Sequence, residues 1–157
     1  MRALVLYDRA AGDAGALART IAGGLPSGFQ ARALCLDDAT GADLDDARLV
    51  VIGGAVRRLG PSPRMRAFFA RTDRAAWRDR HVAVYATTAD RRAGADAMAT
   101  RMTVAWLRRY HVARPIPRTS FLLAAPDGPL DDAEPVRAAS WALSLPIAAH
   151  LHQTVGG

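Results

Sequence analysis

The chain has 157 residues, a length that favours one domain spanning residues 1–157. Half of the residues are hydrophobic and 23% are charged, and no apolar run reaches the roughly 18 residues of a membrane span, so we expect a soluble protein without a transmembrane segment. The net charge of +6 comes from arginine alone, but the arginines are dispersed among 15 acidic residues and aromatic residues are few, which argues against nucleic acid as a partner. Asp8 and Arg9 interrupt the first apolar segment too early for a signal peptide, so we expect a cytoplasmic location.

The first half of the chain alternates between predicted strands and helices. Leu17, Ile21 and Leu25 recur every four residues and mark the buried face of the first helix. The only cysteine, Cys35, lies in an apolar strand-like context and is expected to be a small core residue. The β-branched run that closes on Gly53 is typical of a central parallel strand. The predicted elements are a strand over residues 2–7, a helix over 14–25, a strand over 31–36, an acidic connection over 37–47 and a strand over 48–53.

The second half continues the same alternation. Met65, Phe68 and Phe69 form the apolar side of the next helix. Pro135 suits the first turn of the last helix, which Pro146 is expected to kink. The predicted elements are a helix over residues 64–77, a strand over 81–86, a loop over 87–94, a helix over 95–112, a strand over 120–126 and a helix over 133–153.

Five alternations of strand and helix predict a parallel sheet with helices on both faces, an α/β three-layer sandwich. Ligands of such sheets bind at the carboxyl ends of the strands, beside the point where the strand order reverses. The loops that follow the first, third and fourth strands are therefore the places to look for a site.

At this level the chain resembles the flavodoxin-like proteins in length, five-fold alternation and loop position. The segment 48–69, "RLVVIGGAVRRLGPSPRMRAFF", is more narrowly similar to the third-strand segment of enzymes akin to menaquinone-dependent protoporphyrinogen oxidase. Its core is the pattern "VIGGAVR", which ends at Arg57. The resemblance implies a five-stranded flavodoxin-like sheet and FMN as cofactor.

A flavodoxin typically holds the FMN phosphate with hydroxyl groups, backbone N–H groups and a helix N-terminus. In this chain the three hydroxyl positions are Arg9, Ala11 and Ala14, so all three hydroxyls are missing, while the glycine is kept as Gly12. Arg9 offers a guanidinium to the phosphate, whereas Asp13 either repels the dianion or caps the following helix. The resemblance therefore implies a phosphate loop made of Arg9, Ala10, Ala11, Gly12, Asp13 and Ala14.

The aromatic residues that sandwich the flavin in electron-carrying flavodoxins are absent from the second and third loops. Tyr7 and Tyr85 lie inside strands and are expected to be core residues. The flavin ring is instead expected against backbone and small side chains, with hydroxyls from the fourth strand's loop as hydrogen-bond partners. The residues predicted to contact it are Gly53, Gly54, Ala55, Val56, Arg57, Thr87 and Thr88.

These features predict an FMN-linked redox protein that passes electrons or hydride to a quinone or a protein partner, without a distinct catalytic acid or base. The alternative is a flavin-free domain that keeps the scaffold and acts in protein interaction or regulation. The tryptophans on predicted helices leave a homodimer open. The spacing of the histidines does not suit a metal site, and no metal is expected; they are His81, His111, His150 and His152.

Overall fold

A five-stranded parallel sheet lies at the centre of the fold, and helices pack on both of its faces. The computed structural model describes residues 1–8, 13–55, 61–92, 95–110, 112 and 116–148. The strands are β1 (Arg2–Tyr7), β2 (Gln30–Cys35), β3 (Leu49–Ala55), β4 (His81–Thr88) and β5 (Arg118–Leu122). The helices of these residues are α1 (Ala14–Gly24), α2 (Gly41–Asp45), α3 (Pro63–Arg71), α4 (Arg74–Arg78), α5 (Ala95–Arg109) and α6 (Glu134–Ala148).

The strand order is β2-β1-β3-β4-β5, the order of a flavodoxin-like doubly wound sheet, so the predicted fold class is confirmed. Every neighbouring pair is parallel. The order reverses between β1 and β3, and the carboxyl ends of β1, β3 and β4 meet at one edge of the sheet. We call this edge the carboxyl edge. No helix in the described ranges is long and apolar enough to cross a membrane.

Two hydrophobic clusters fill the space between the sheet and its helices. One contains Phe68, Phe69 and Trp77 beneath α3 and α4, and the other contains Leu17 and Ile21 beneath α1. All five side chains are almost fully buried. The burial of Leu17 and Ile21 confirms the face that apolar periodicity predicted for the first helix. Cys35, Tyr85, Met65 and Leu25 are also buried, in agreement with prediction.

The helix predicted over 64–77 is two helices, because the chain turns at Thr72 and Asp73. Thr72 is extended, and its hydroxyl donates to the Phe68 carbonyl at 3.0 Å while accepting from Trp77 Nε1 at 3.0 Å. The Asp73 side chain then accepts from Ala75 N and caps α4. One buried hydroxyl thus ends α3 and holds the aromatic ring that anchors α4.

Other boundaries also differ from prediction, and the largest differences are in the acidic connection and the last strand. The acidic connection contains the short helix α2, which begins with a capping box between Thr40 and Asp43. The last strand begins at Arg118 and ends at Leu122, four residues before the predicted end. Its predicted remainder is a turn, since Leu123 bridges Leu130 in antiparallel fashion. The part of the last predicted helix after residue 148 lies outside the described residues.

Candidate functional site

The predicted site residues fall into two groups. Those that the structure describes are Asp13, Ala14, Gly53, Gly54, Ala55, Thr87 and Thr88. The predicted residues Arg9, Ala10, Ala11, Gly12, Val56 and Arg57 lie outside the described residues. The described group lies along the carboxyl edge, at the start of α1 and the ends of β3 and β4.

Asp13 occupies the N-cap position of α1, but its carboxylate makes no capping hydrogen bond. Instead its Oδ2 accepts from the backbone N–H of Leu130, at 3.4 Å. The prediction that Asp13 sits at the cap is therefore right about position and wrong about the bond. The Asp13 carboxylate thus bonds to the turn that follows β5 and not to the helix N–H groups, and the first turn of α1 carries no acidic residue.

The N-terminus of α1 faces the end of β4. A cavity of about 10 Å³, room for about one water molecule, separates them. The cavity is lined by Asp13, Ala14, Leu17, Thr87, Leu123 and Leu130. The structure thus brings together three predicted site residues from distant parts of the chain. A flavin ring is far too large for this cavity.

The paired glycines of the "VIGGAVR" pattern are explained by packing within the sheet. A Cβ atom on Gly53 would lie 2.4 Å from the Tyr85 carbonyl oxygen. A Cβ atom on Gly54 would lie 2.8 Å from the Cβ atom of Asp8. Both neighbours are buried, so neither position has room for a side chain. The pattern therefore has a structural cause that is independent of any cofactor.

Thr87 and Thr88 are the last two residues of β4, whereas the sequence placed them in the following loop. The Thr87 side chain is buried beside the cavity. The Thr88 hydroxyl accepts from the backbone N–H of Asp90 at 3.0 Å, and this bond helps to start the loop. Thr88 is therefore already used in a local turn, and Thr87 is the hydroxyl closer to α1.

An ionic cluster at the ends of β1 and β2 was not predicted as a unit. Asp8 is 2% exposed and accepts from Arg64 Nη1 at 3.3 Å. Arg64 Nε lies 3.4 Å from Asp37 Oδ2. The arginine from the first turn of α3 thus pairs with two carboxylates that follow separate strands. The sequence feature that could have predicted this cluster is the charged residue Asp8 directly after a buried strand.

The loop after β4 is stabilised by two ion pairs. Arg92 holds Asp90 through its guanidinium and backbone N–H, and these hydrogen bonds lower the pKa of the Asp90 carboxyl to about 2. Arg91 binds Asp131 at 3.0 Å and so connects this loop to the segment after β5. The same segment supplies the N–H that binds Asp13. One ion pair and one hydrogen bond therefore join the loops after β1 and β4 to the segment after β5.

Tyr85 is a structural hydrogen-bond donor and not an acid of the site. Burial raises the pKa of its phenol far above the usual value, and nearby Tyr7 and Asp8 add to the effect. The hydroxyl donates to the Leu6 carbonyl at 3.3 Å. His81 is buried at the start of β4, at the opposite edge, while the other three histidines lie outside the described residues. The described part of the chain contains no cluster of metal-ligating side chains.

Solved structures with a similar fold include two flavodoxins and an oxidoreductase. A flavodoxin from the domain Archaea has a TM-score of 0.69 at 17% identity and covers 96% of this chain and 99% of its own. Flavodoxin 1 from Bacillus cereus has a TM-score of 0.69 at 10% identity and covers 98% and 100%. Rubredoxin oxygen:oxidoreductase from Desulfovibrio gigas has a TM-score of 0.68 at 13% identity, covering 96% of this chain and 36% of its own.

No protein-family model matches the chain, and no curated protein matches it. The similarity to solved structures at these identities establishes the fold. Together with the strand order, it places the chain among proteins with a flavodoxin-like fold.

Proposed function

We propose that the chain is an FMN-binding redox protein that passes electrons or hydride to a quinone or a protein partner. The observation that carries this proposal is the N-terminus of α1 at the carboxyl edge, whose cap carboxylate is bound to Leu130 N and not to the helix. Free N–H groups at a helix N-terminus favour a phosphate dianion. FMN fits this position, because its phosphate needs such donors.

The residues that would hold the phosphate are Arg9, Gly12 and the backbone of Ala14. Arg9 replaces a hydroxyl with a guanidinium, which binds phosphate with two parallel hydrogen bonds. Asp13 opposes binding through its charge, but its carboxylate makes no hydrogen bond to the helix N–H groups. When bound, a flavin supplies the hydride or electron transfer, so the chain itself needs no catalytic acid or base.

The ring region lies along the ends of β3 and β4. The backbone of Gly53, Gly54 and Ala55 and the hydroxyls of Thr87 and Thr88 are the groups that would contact the ring. Val56 and Arg57 belong to the same proposed site on sequence grounds.

The alternative function is a flavin-free domain that acts in protein interaction or regulation. The observation that favours it is the packing role of Gly53 and Gly54, which accounts for the two glycines of the "VIGGAVR" pattern without a cofactor. The negative charge of Asp13 at the helix N-terminus also favours the flavin-free function, because it repels a phosphate.

Absorbance of the purified protein and titration with FMN distinguish the two functions. We expect a flavin spectrum, or quenching of FMN fluorescence with a micromolar dissociation constant. Arg9→Ala is expected to weaken FMN binding at least tenfold, since a hydrogen bond to a charged group contributes about 1.5–3 kcal/mol. Arg48→Ala is the matched control, because Arg48 is an exposed arginine directly before β3, at the opposite edge of the sheet. A colourless protein that leaves FMN fluorescence unchanged supports the flavin-free function.

A further inference from the structure

Most of the large hydrophobic side chains that the described part of the chain exposes lie on one helix, α6. Of the five such side chains, three are Val136, Leu143 and Ile147, which are 74%, 59% and 75% exposed. The other two, Met1 and Met98, lie on other parts of the chain. Single exposed hydrophobic residues are ordinary, whereas a contiguous apolar patch marks an interaction site.

The apolar side chains form a stripe along the outer side of α6. Its residues follow one another at intervals of four, three and four, which is the a and d spacing of a coiled coil. They are Val136, Ser140, Leu143 and Ile147, all exposed, and we call them the α6 stripe. Ala138, Ala142 and Leu145 are buried against the core. These buried residues lie about half a turn around the helix from the stripe, so the stripe faces directly away from the core.

The α6 stripe is uncharged, and α6 offers no free charge beside it. The helix Glu134–Ala148 contains two charged residues, Glu134 and Arg137. These two bind each other, since Arg137 Nε donates to Glu134 Oε1 at 3.1 Å. A binding partner would therefore be selected by apolar shape and not by charge. A membrane surface fits less well, because helices that lie on membranes carry several basic residues on their polar face.

The order of residues makes the α6 stripe complementary to itself. An antiparallel copy, related by a two-fold axis between residues 141 and 142, places Val136 opposite Ile147 and Ser140 opposite Leu143. The smallest side chain then meets a large one, and β-branched side chains meet at both ends. A parallel copy would instead place Ser140 opposite Ser140 and Leu143 opposite Leu143. We propose that the α6 stripe docks the same stripe of a second copy of this chain, in antiparallel orientation.

The positions that flank the stripe allow this pairing. Arg137 and Ser144 lie on one side of it, and Ala139 and Pro146 lie on the other. An antiparallel copy brings Arg137 beside Ser144 of the second copy, so no cation meets another. The Ser144 hydroxyl already donates to the Trp141 carbonyl at 2.7 Å, so its burial leaves no unpaired donor. Antiparallel helices also place each positive N-terminus near a negative C-terminus.

The size of the stripe indicates a reversible dimer. At about 1.5 Å per residue, the distance along the helix from Val136 to Ile147 is about 16 Å, and one helix is roughly 10 Å wide. This surface is smaller than the roughly 800 Å² that each partner buries in a standard interface. We therefore expect a dissociation constant of about 10–100 μM.

The dimer is independent of the proposed function, because the stripe contains no residue of the candidate site. Strand β5 ends at Leu122, at the carboxyl edge, and α6 then runs back along the sheet. An antiparallel pair of α6 helices therefore points the two carboxyl edges in opposite directions.

Sedimentation velocity of the full chain, from about 5 μM to about 500 μM and without added FMN, measures the dimer. Leu143→Glu is the main variant, because residue 143 lies close to the axis and the two new carboxylates would repel each other. Val136→Glu, at a position 74% exposed, decides the test if Leu143→Glu fails to fold. Met98→Glu is the matched control, because it places the same charge on an exposed hydrophobic residue of α5.

We expect each stripe variant to weaken dimerisation at least tenfold and the control to weaken it less than threefold, roughly the effect of buried like charges. A wild-type chain that is monomeric at every concentration overturns the proposal. A dimer that the folded stripe variants leave unchanged, or that Met98→Glu weakens equally, also overturns it.

Disulfide formation distinguishes the antiparallel pair from a parallel one. Val136→Cys and Ile147→Cys are prepared separately and mixed under mild oxidation. We expect the mixed disulfide to form faster than the disulfide between two molecules of Val136→Cys, and the reverse order overturns the antiparallel arrangement. Neither measurement involves a flavin, so failure of FMN binding leaves both results unchanged, and a monomeric chain leaves the FMN titration unchanged.

Discussion

Replacing Asp13 with asparagine separates the charge of this residue from its hydrogen bond. The amide oxygen of asparagine still accepts from Leu130 N, and at 3.4 Å this bond is long, so the free energy of unfolding should change by less than about 0.5 kcal/mol. The charge has a larger effect on an anionic ligand. Two unit charges about 5 Å apart repel by about 0.8 kcal/mol in water, and a phosphate dianion about doubles this figure. Asp13→Asn is therefore expected to tighten FMN binding about tenfold.

The assay is a fluorescence titration of FMN at low salt, repeated at 0.5 M salt, where screening should reduce the gain. Asp132→Asn is the matched control, because Asp132 is exposed and lies in the segment after β5. We expect the control to change affinity less than twofold. Unchanged or weaker FMN binding by Asp13→Asn, with normal thermal stability, would refute the placement of the phosphate at the N-terminus of α1.

Two further predictions concern the stability of the fold. Gly24→Ala should destabilise the protein by about 1–3 kcal/mol, because the new Cβ would lie 2.8 Å from backbone atoms of Ala139 in α6. Gly23→Ala is its counterpart, because a Cβ at that position meets nothing within 4 Å. This second variant should stabilise α1 by up to about 1 kcal/mol. Urea unfolding of both variants checks this, and a shift in the same direction for both contradicts it. Burial raises the pKa of the Glu134 carboxyl, but hydrogen bonds from Arg137 and Leu122 N outweigh it and hold the folded pKa below 4.5. Glu134 therefore adds stability above about pH 4.5, and this stability is lost as the pH falls through the pKa of the folded state. The difference in unfolding free energy between wild type and Glu134→Gln should narrow from pH 7 to pH 3. A constant difference over this range would contradict the prediction.

The regular parts of the fold could be predicted because their hydrophobic patterns are unambiguous. The strand over residues 2–7 has the predicted limits, and the four-residue spacing of Leu17 and Ile21 identified the buried face of α1. The break between α3 and α4 was missed because apolar spacing continues across it. The local sign was Asp73, a typical N-cap residue, and the bond from Trp77 Nε1 to Thr72 then fixes the turn.

The candidate site was less predictable, because its contacts join distant segments. The bond between Asp13 and Leu130 N spans 117 residues, and nothing local to Asp13 distinguishes it from an ordinary cap. The contact between Gly54 and Asp8 likewise arises from strand pairing. Sequence reasoning correctly placed Asp13 and Gly54 at the carboxyl edge, but their neighbours follow only from the assembled sheet.

The central claim is that the N-terminus of α1 binds the phosphate of FMN, and comparison of FMN with riboflavin tests it most directly. The two ligands share the ring and the ribityl chain and differ only in the phosphate. Calorimetric titration of the purified protein is expected to give a micromolar dissociation constant for FMN and binding at least tenfold weaker for riboflavin, since each charged hydrogen bond to the phosphate contributes about 1.5–3 kcal/mol. Equal affinities for the two ligands, or no heat from either, would contradict the account.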